Sequence, residues 1–149
     1  MWVSPAMQDG AAARYRVFNR DGSEVEQCGN GVRCVAWMLD RDGTAGESLV
    51  LESPAGLVEA VVRDDGLIAV NMGAPELEPE RIPFVADERS TRYELEACGR
   101  TQHVSVVSMG NPHCVLQVAN VENAPVQRLG PKIERHRRFP EKVNVGFMR

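Results

Sequence analysis

Cys28 stands in the run Asn19-Arg20-Asp21-Gly22-Ser23-Glu24-Val25-Glu26-Gln27-Cys28-Gly29-Asn30-Gly31-Val32-Arg33-Cys34. A strand-like tetrad, Tyr15 to Phe18, leads into it, and a largely apolar helical run, Val32 to Leu39, leaves it. Asp21-Gly22 is a turn pair, and Gly29-Asn30-Gly31 accepts positive φ and close backbone approach. Cys28 is therefore expected just ahead of a helix N-terminus. Unpaired amide N–H groups there favour negative charge, so the position suits a thiolate and the docking of an anionic ligand group. Read alone, Cys28 also fits a small buried hydrophobe. The surrounding glycines, the strand that feeds the loop and Asn19 upstream argue for a shaped pocket instead.

The elements that must hold this loop follow from periodicity. A helix from about residue 31 to 41 carries Val32, Val35, Ala36 and Leu39 on one face. Cys34, Trp37 and Met38 are apolar too, which predicts a helix buried nearly all round, with Cys34 as core. Gly43 is placed to end it. Strands are predicted over 48–52, 57–63 and 67–72, joined by Pro54-Ala55-Gly56 and Asp64-Asp65-Gly66 as an antiparallel meander. Residues 73–83 hold three prolines and several charges and read as a linker, so a boundary falls near Pro75 and divides the chain into 1–74 and 75–149. Strands over 91–97, 104–109, 113–118 and 142–148 follow. A helical stretch spans 122–129, and Pro131 suits the first turn of a second short helix.

Composition removes several classes of function. The net charge is −4 and only 5% of residues are aromatic, which argues against nucleic-acid binding. No apolar run has the length of a membrane span, and the N-terminal residues lack the pattern of a signal peptide. A cytoplasmic location is the expectation. Cys28, Cys34, Cys98 and Cys114 match no zinc spacing, even with His103 and His113 as ligands, so no metal is expected.

Four ordered motifs carry a resemblance. They are the 18–31 loop, Val70-Asn71-Met72-Gly73, Ser108-Met109-Gly110-Asn111-Pro112-His113-Cys114, and Phe139-Pro140-Glu141-Lys142-Val143-Asn144-Val145-Gly146-Phe147-Met148. Together they resemble diaminopimelate epimerase over essentially the whole chain. The resemblance implies an α+β fold of two similar lobes, each a mostly antiparallel sheet wrapped around a central helix, both incomplete here. It implies inversion of one α-carbon of diaminopimelate without metal or pyridoxal cofactor. One cysteine thiolate takes the α-proton and a second thiol, on the opposite face, returns one.

Residue by residue, Cys28 matches the first catalytic cysteine. Gly29 and Asn30 match backbone that holds substrate, and Asn19, Asn111 and Asn144 match substrate-binding asparagines. His113 matches a histidine beside the cysteine pair that tunes its ionisation. Amide side chains donate to carboxylates and accept from ammonium groups, so converging asparagines suit a zwitterion. Cys114, on the other strand face, reads as core, and Asn71 with Gly73 as a strand end. Ala97-Cys98-Gly99 is superficially like the family's second cysteine loop, but it precedes the Asn111 motif and a strand follows it, so Cys98 receives no role. The family's opening segment, second cysteine and Glu-Arg pair have no counterpart among these residues, which reads as a fragment. The expected partner is the small-molecule substrate, with a homodimer in the full-length family. Proline racemases and phenazine-type isomerases are rivals of the same architecture, and a catalytically inactive binding module is a third.

Overall fold

The computed structural model describes every residue except 26, 27, 45 and 47. Glu26 and Gln27 of the first motif thus lie outside the described residues. The chain divides into two compact units, Met1–Gly73 and Ala74–Arg149.

In the first unit, β1 (Trp2–Ser4), β2 (Ala13–Phe18), β4 (Ser48–Ser53), β5 (Gly56–Val62) and β6 (Ile68–Val70) line up in that order, and β3 (Glu24–Val25) pairs with β2. The meander is set by alternation of side chains. On β5, Val58 and Ala60 are buried while Leu57, Glu59 and Val61 face out. In register, Leu51 sits opposite Val58 and Leu49 opposite Ala60, so both strands send their apolar side chains to one face. Among the described residues, β2 and β4 are the one parallel pair of this sheet.

Helix α1 (Gly29–Arg41) packs that face with Val32, Val35 and Ala36, at helical spacing, and joins a core with Tyr15, Leu49 and Leu51. Each such valine or leucine side chain contributes about 1.5–3 kcal/mol by leaving water. The Arg33 guanidinium also donates to the Ile68 carbonyl at 3.2 Å, tying α1 to β6. The helix ends as expected: Gly43 takes φ +68°, and its amide and that of Thr44 return to the carbonyls of Asp40 and Leu39 at 3.0 Å.

The expectation of an all-round buried helix is corrected. Cys34 is exposed, Trp37 is 52% exposed and Met38 39%. A sheet covers one stripe of a helix, here the 32-35-36 stripe, and Cys34, Trp37 and Met38 project from the other side. The Arg41 guanidinium lies 4.9 Å from the centre of the Trp37 ring and shields part of it.

The second unit is a four-stranded sheet in the order β10 (Asn144–Met148), β9 (Pro112–Gln117), β8 (Arg100–Ser108), β7 (Tyr93–Ala97), with β9 and β10 parallel. Residues 73–83, expected as a linker, are instead largely part of this unit. Glu76 bridges to Ser108, Pro79–Arg81 forms a short 3-10 helix, and Ile82 and Phe84 enter the core. Phe84 packs 4.8 Å from both Tyr93 and Phe139. Arg138 covers Phe84 at 4.4 Å and donates to the Val85 and Glu94 carbonyls.

Helix α2 (Val126–Glu134) also differs from expectation: one helix contains Pro131, rather than a stretch over 122–129 followed by a second short helix with Pro131 in its first turn. Pro131 lacks the amide that would bond Gln127, but Gln127 is exposed and its carbonyl can be hydrated. Gly130, without a Cβ, relieves the crowding a proline imposes on the residue before it. Leu129 and Ile133, one turn apart, then reach the core together.

Candidate active site

The predicted site residues fall into two groups. Cys28, Asn19, Gly29 and Asn30 belong to the first unit, and Asn111, His113 and Asn144 to the second.

Cys28 is the N-cap of α1. Its backbone is extended (φ −144°, ψ 98°), its carbonyl accepts the Val32 amide at 2.9 Å, and its sulfur accepts the Gly31 amide at 3.4 Å. Serine, threonine, aspartate and asparagine usually fill this cap. Here a half-buried thiol does so, with no acidic side chain in the first turn to compete with an incoming anion. The glycines let neighbouring atoms approach closely. A Cβ on Gly29 would lie 3.0 Å from the Met72 sulfur, and one on Gly31 would lie 3.4 Å from the Cys28 sulfur. Asn30 is exposed on the same first turn.

Asn19 is held within its own turn. Its amide nitrogen donates to the Ser23 hydroxyl at 3.0 Å, its backbone amide to the Ser23 carbonyl at 2.8 Å, and Gly22 takes φ +86°. In this structure its side chain serves the loop.

Tyr15 is a residue that sequence reasoning used only as strand. It is 1% exposed, and its hydroxyl has no hydrogen-bond partner among the described residues. Burial raises its pKa, the Ser53 hydroxyl opposes this and the charge of Cys28 adds to it. No sequence pattern distinguishes such a tyrosine from an ordinary core aromatic.

In the second unit the chain brings three predicted residues together. Asn111 ends the tight turn between β8 and β9, where Gly110 takes φ +93°. Its side-chain oxygen is 2.8 Å from His113 Nε2. Asn144 opens β10 directly opposite His113 and donates its amide nitrogen to the Pro112 carbonyl at 3.1 Å. Burial lowers the His113 pKa, which favours a neutral imidazole. Cys114 points to the opposite face, fully buried, its thiol pushed up to about 12 by desolvation. The bond between Asn111 and His113 goes beyond the sequence-based expectation for either residue. Its signal was the i, i+2 spacing, which puts two side chains on one side of an extended segment.

Cys98 lies in the tight turn between β7 and β8 at φ +55°, exposed, its thiol donating to the Arg128 carbonyl at 3.6 Å. Among the described residues no group of three or more His, Cys, Asp or Glu side chains is placed to hold a metal ion. None of the described helices is long and apolar enough to cross a membrane.

Comparison with known proteins gives a consistent family. The family model described as diaminopimelate epimerase matches residues 3–78 and 105–149. A diaminopimelate epimerase of Pseudomonas savastanoi pv. phaseolicola is 55% identical over 136 residues, covering 91% of this chain and 49% of that protein. One from Ectopseudomonas mendocina is 49% identical over 147 residues, covering 98% of this chain and 53% of that protein. The chain therefore spans about half the length of the curated relatives it matches. Among solved structures, a hydroxyproline epimerase from Agrobacterium vitis aligns with a TM-score of 0.54 at 21% identity, over 89% of this chain and 36% of that one. A Bacillus anthracis phenazine biosynthesis protein of the PhzF family aligns at 0.52 and 22% identity, over 86% of this chain and 44% of that one. At such identities the likeness concerns the fold alone.

Proposed function

The chain belongs to the diaminopimelate epimerase family, and from that premise we propose that it carries one of two thiol bases for interconverting LL- and meso-2,6-diaminopimelate, a step of lysine and peptidoglycan precursor synthesis. The observation that carries the reading is Cys28 at the N-cap of α1, among the amides of Gly29, Asn30 and Gly31. On this reading the thiolate takes the α-proton and leaves a carbanion conjugated with the α-carboxylate. A second thiol on the opposite face gives a proton back, so the centre inverts with no net change in protons. The α-proton of an amino acid is very weakly acidic, so the developing charge must be stabilised at the moment of transfer. Amides fixed at a helix N-terminus do this without reorganising.

Asn19, Asn111 and Asn144 are assigned to the ends of the zwitterionic substrate, with Gly29 and Asn30 as backbone contacts. His113 is assigned to the same machinery. Residues 1–74 and 75–149 are taken as parts of the family's N- and C-terminal lobes. A cytoplasmic location and a homodimeric assembly come with the family reading.

The test uses LL-diaminopimelate in D2O with the purified chain, followed by proton NMR. Loss of the α-proton signal, abolished by Cys28→Ala, is expected. Undiminished loss in Cys28→Ala, or none in the unaltered chain, would overturn the assignment.

A further inference from the structure

Asn111 and His113 form a hydrogen-bonded pair, and the chemistry of the two groups fixes its direction. The Asn111 side-chain oxygen accepts and does not donate, so the ring nitrogen 2.8 Å from it must carry a proton. Across the strand pair, the Asn144 amide meets the Pro112 carbonyl, which likewise only accepts, so its nitrogen faces inward. Both amides are thus anchored to the start of β9, one through oxygen and the other through nitrogen.

We propose that His113 is a positioning residue for Asn111: its Nε2–H holds the amide oxygen inward and so turns the amide N–H groups outward, toward an acceptor such as a carboxylate oxygen. The proposal rests on the reading of Asn111 as a substrate-binding residue and gives its side chain a polarity. An asparagine free to rotate offers either end to a ligand. One locked by its oxygen offers donors only, and so discriminates a carboxylate from an ammonium group. Burial of the ring, which disfavours imidazolium, leaves one proton to place, and the pair places it on Nε2. With the proton on Nε2 engaged by the amide, the Nδ1 lone pair is left over, so this positioning role stands beside the thiol-tuning role that the family resemblance implies for His113.

The experiment is a long-range proton–nitrogen correlation on the 15N-labelled chain at neutral pH, with His113 assigned by its loss in His113→Gln and the Asn111 amide by its loss in Asn111→Asp. The expected result is a neutral ring protonated at Nε2 and an ordered Asn111 NH2 group. His113→Phe should release that group to the averaged signature of a free amide, and His113→Gln, whose amide can donate from nearly the same place, should restore it. Titration with meso-diaminopimelate should then shift the Asn111 NH2 resonances, with binding about fivefold or more weaker in His113→Phe than in His113→Gln. A ring protonated at Nδ1, or an Asn111 amide unchanged in His113→Phe, overturns the proposal. If His113→Phe does not fold, the tautomer in the unaltered chain decides. If diaminopimelate shifts no resonance in any form, the substrate reading falls, while the tautomer and the amide still decide the positioning role.

Discussion

The Cys28 sulfur accepts the Gly31 backbone amide at 3.4 Å, so the cysteine caps the helix that the glycine helps to begin. Limited alkylation of the folded chain at neutral pH should label Cys28 first, because a half-buried thiol at a helix N-terminus is reachable and its developing negative charge meets favourable amides. Cys114 should label last. Burial pushes its thiol up to about 12, so almost none is thiolate at neutral pH, and its fully buried sulfur is out of reach. Peptide mass spectrometry after a short pulse reads the order. Faster labelling of Cys98 or Cys114 than of Cys28 contradicts the assignment.

Gly43→Ala should destabilise the first unit by about 1–2 kcal/mol. The residue holds φ +68° with nothing within 4 Å of a would-be Cβ, so the cost is one of backbone conformation and not of collision. Urea denaturation followed by circular dichroism measures it. A midpoint equal to that of the parent chain would mean that the α1 terminus relaxes freely.

Tyr15→Phe should leave stability unchanged or raise it by up to about 1 kcal/mol. The change keeps the ring and removes a buried hydroxyl that has no hydrogen-bond partner among the described residues. Ser53 lies near, its hydroxyl donating to the Gly56 carbonyl at 2.9 Å and accepting the Ala55 amide at 3.2 Å, but its remaining lone pair does not meet the phenol within hydrogen-bonding geometry. A loss of more than about 1 kcal/mol would reveal a partner for the phenol.

Stability should fall as pH drops from about 7.5 toward 5.5, through the usual histidine range near 6.5. Burial lowers the pKa of both His113 and His136, and Arg137 and Arg138 add to the effect at His136. With the folded pKa below the unfolded one, the unfolded chain takes up the proton first as pH falls. The stability these groups contribute is therefore complete above the unfolded pKa and is lost below it. Denaturation at both ends of that interval should show a shallower slope for His113→Gln. An identical slope would mean that the ring is protonated equally in both states.

Much of this was readable in the chain itself, and the limits have physical causes. Alternation gave the β4–β5 pairing because the register that buries Leu49 and Leu51 opposite Ala60 and Val58 is fixed by a two-residue period. The place of Cys28 followed from glycine and turn chemistry. The exposure of Cys34 and Trp37 did not, because periodicity states which side chains are apolar and not how far a sheet reaches around them. Nor did the single helix α2 through Pro131, where burial of Leu129 and Ile133 outweighs one missing hydrogen bond on an exposed turn. The Asn111–His113 bond depends on a turn geometry that composition leaves open.

The 149-residue chain is expected to exchange the α-proton of diaminopimelate slowly and not to invert its centre. Inversion needs a base on one face and an acid on the other, and Cys28 serves one face. The remaining thiols are poorly placed for the second task. Cys114 is buried with its thiol pushed up to about 12. Cys34 projects from α1 on the side away from the core stripe. Cys98 sits in a strand-to-strand turn, its hydrogen directed to a carbonyl rather than its sulfur toward helix amides. Proton NMR in D2O reads exchange, and chiral chromatography of the recovered amino acid reads inversion. Deuterium at the α-carbon with the LL configuration retained is the expected outcome. Formation of the meso isomer that disappears in Cys98→Ala would give Cys98 the role denied to it here, and inversion that survives in Cys28→Ala would remove Cys28 from the chemistry altogether.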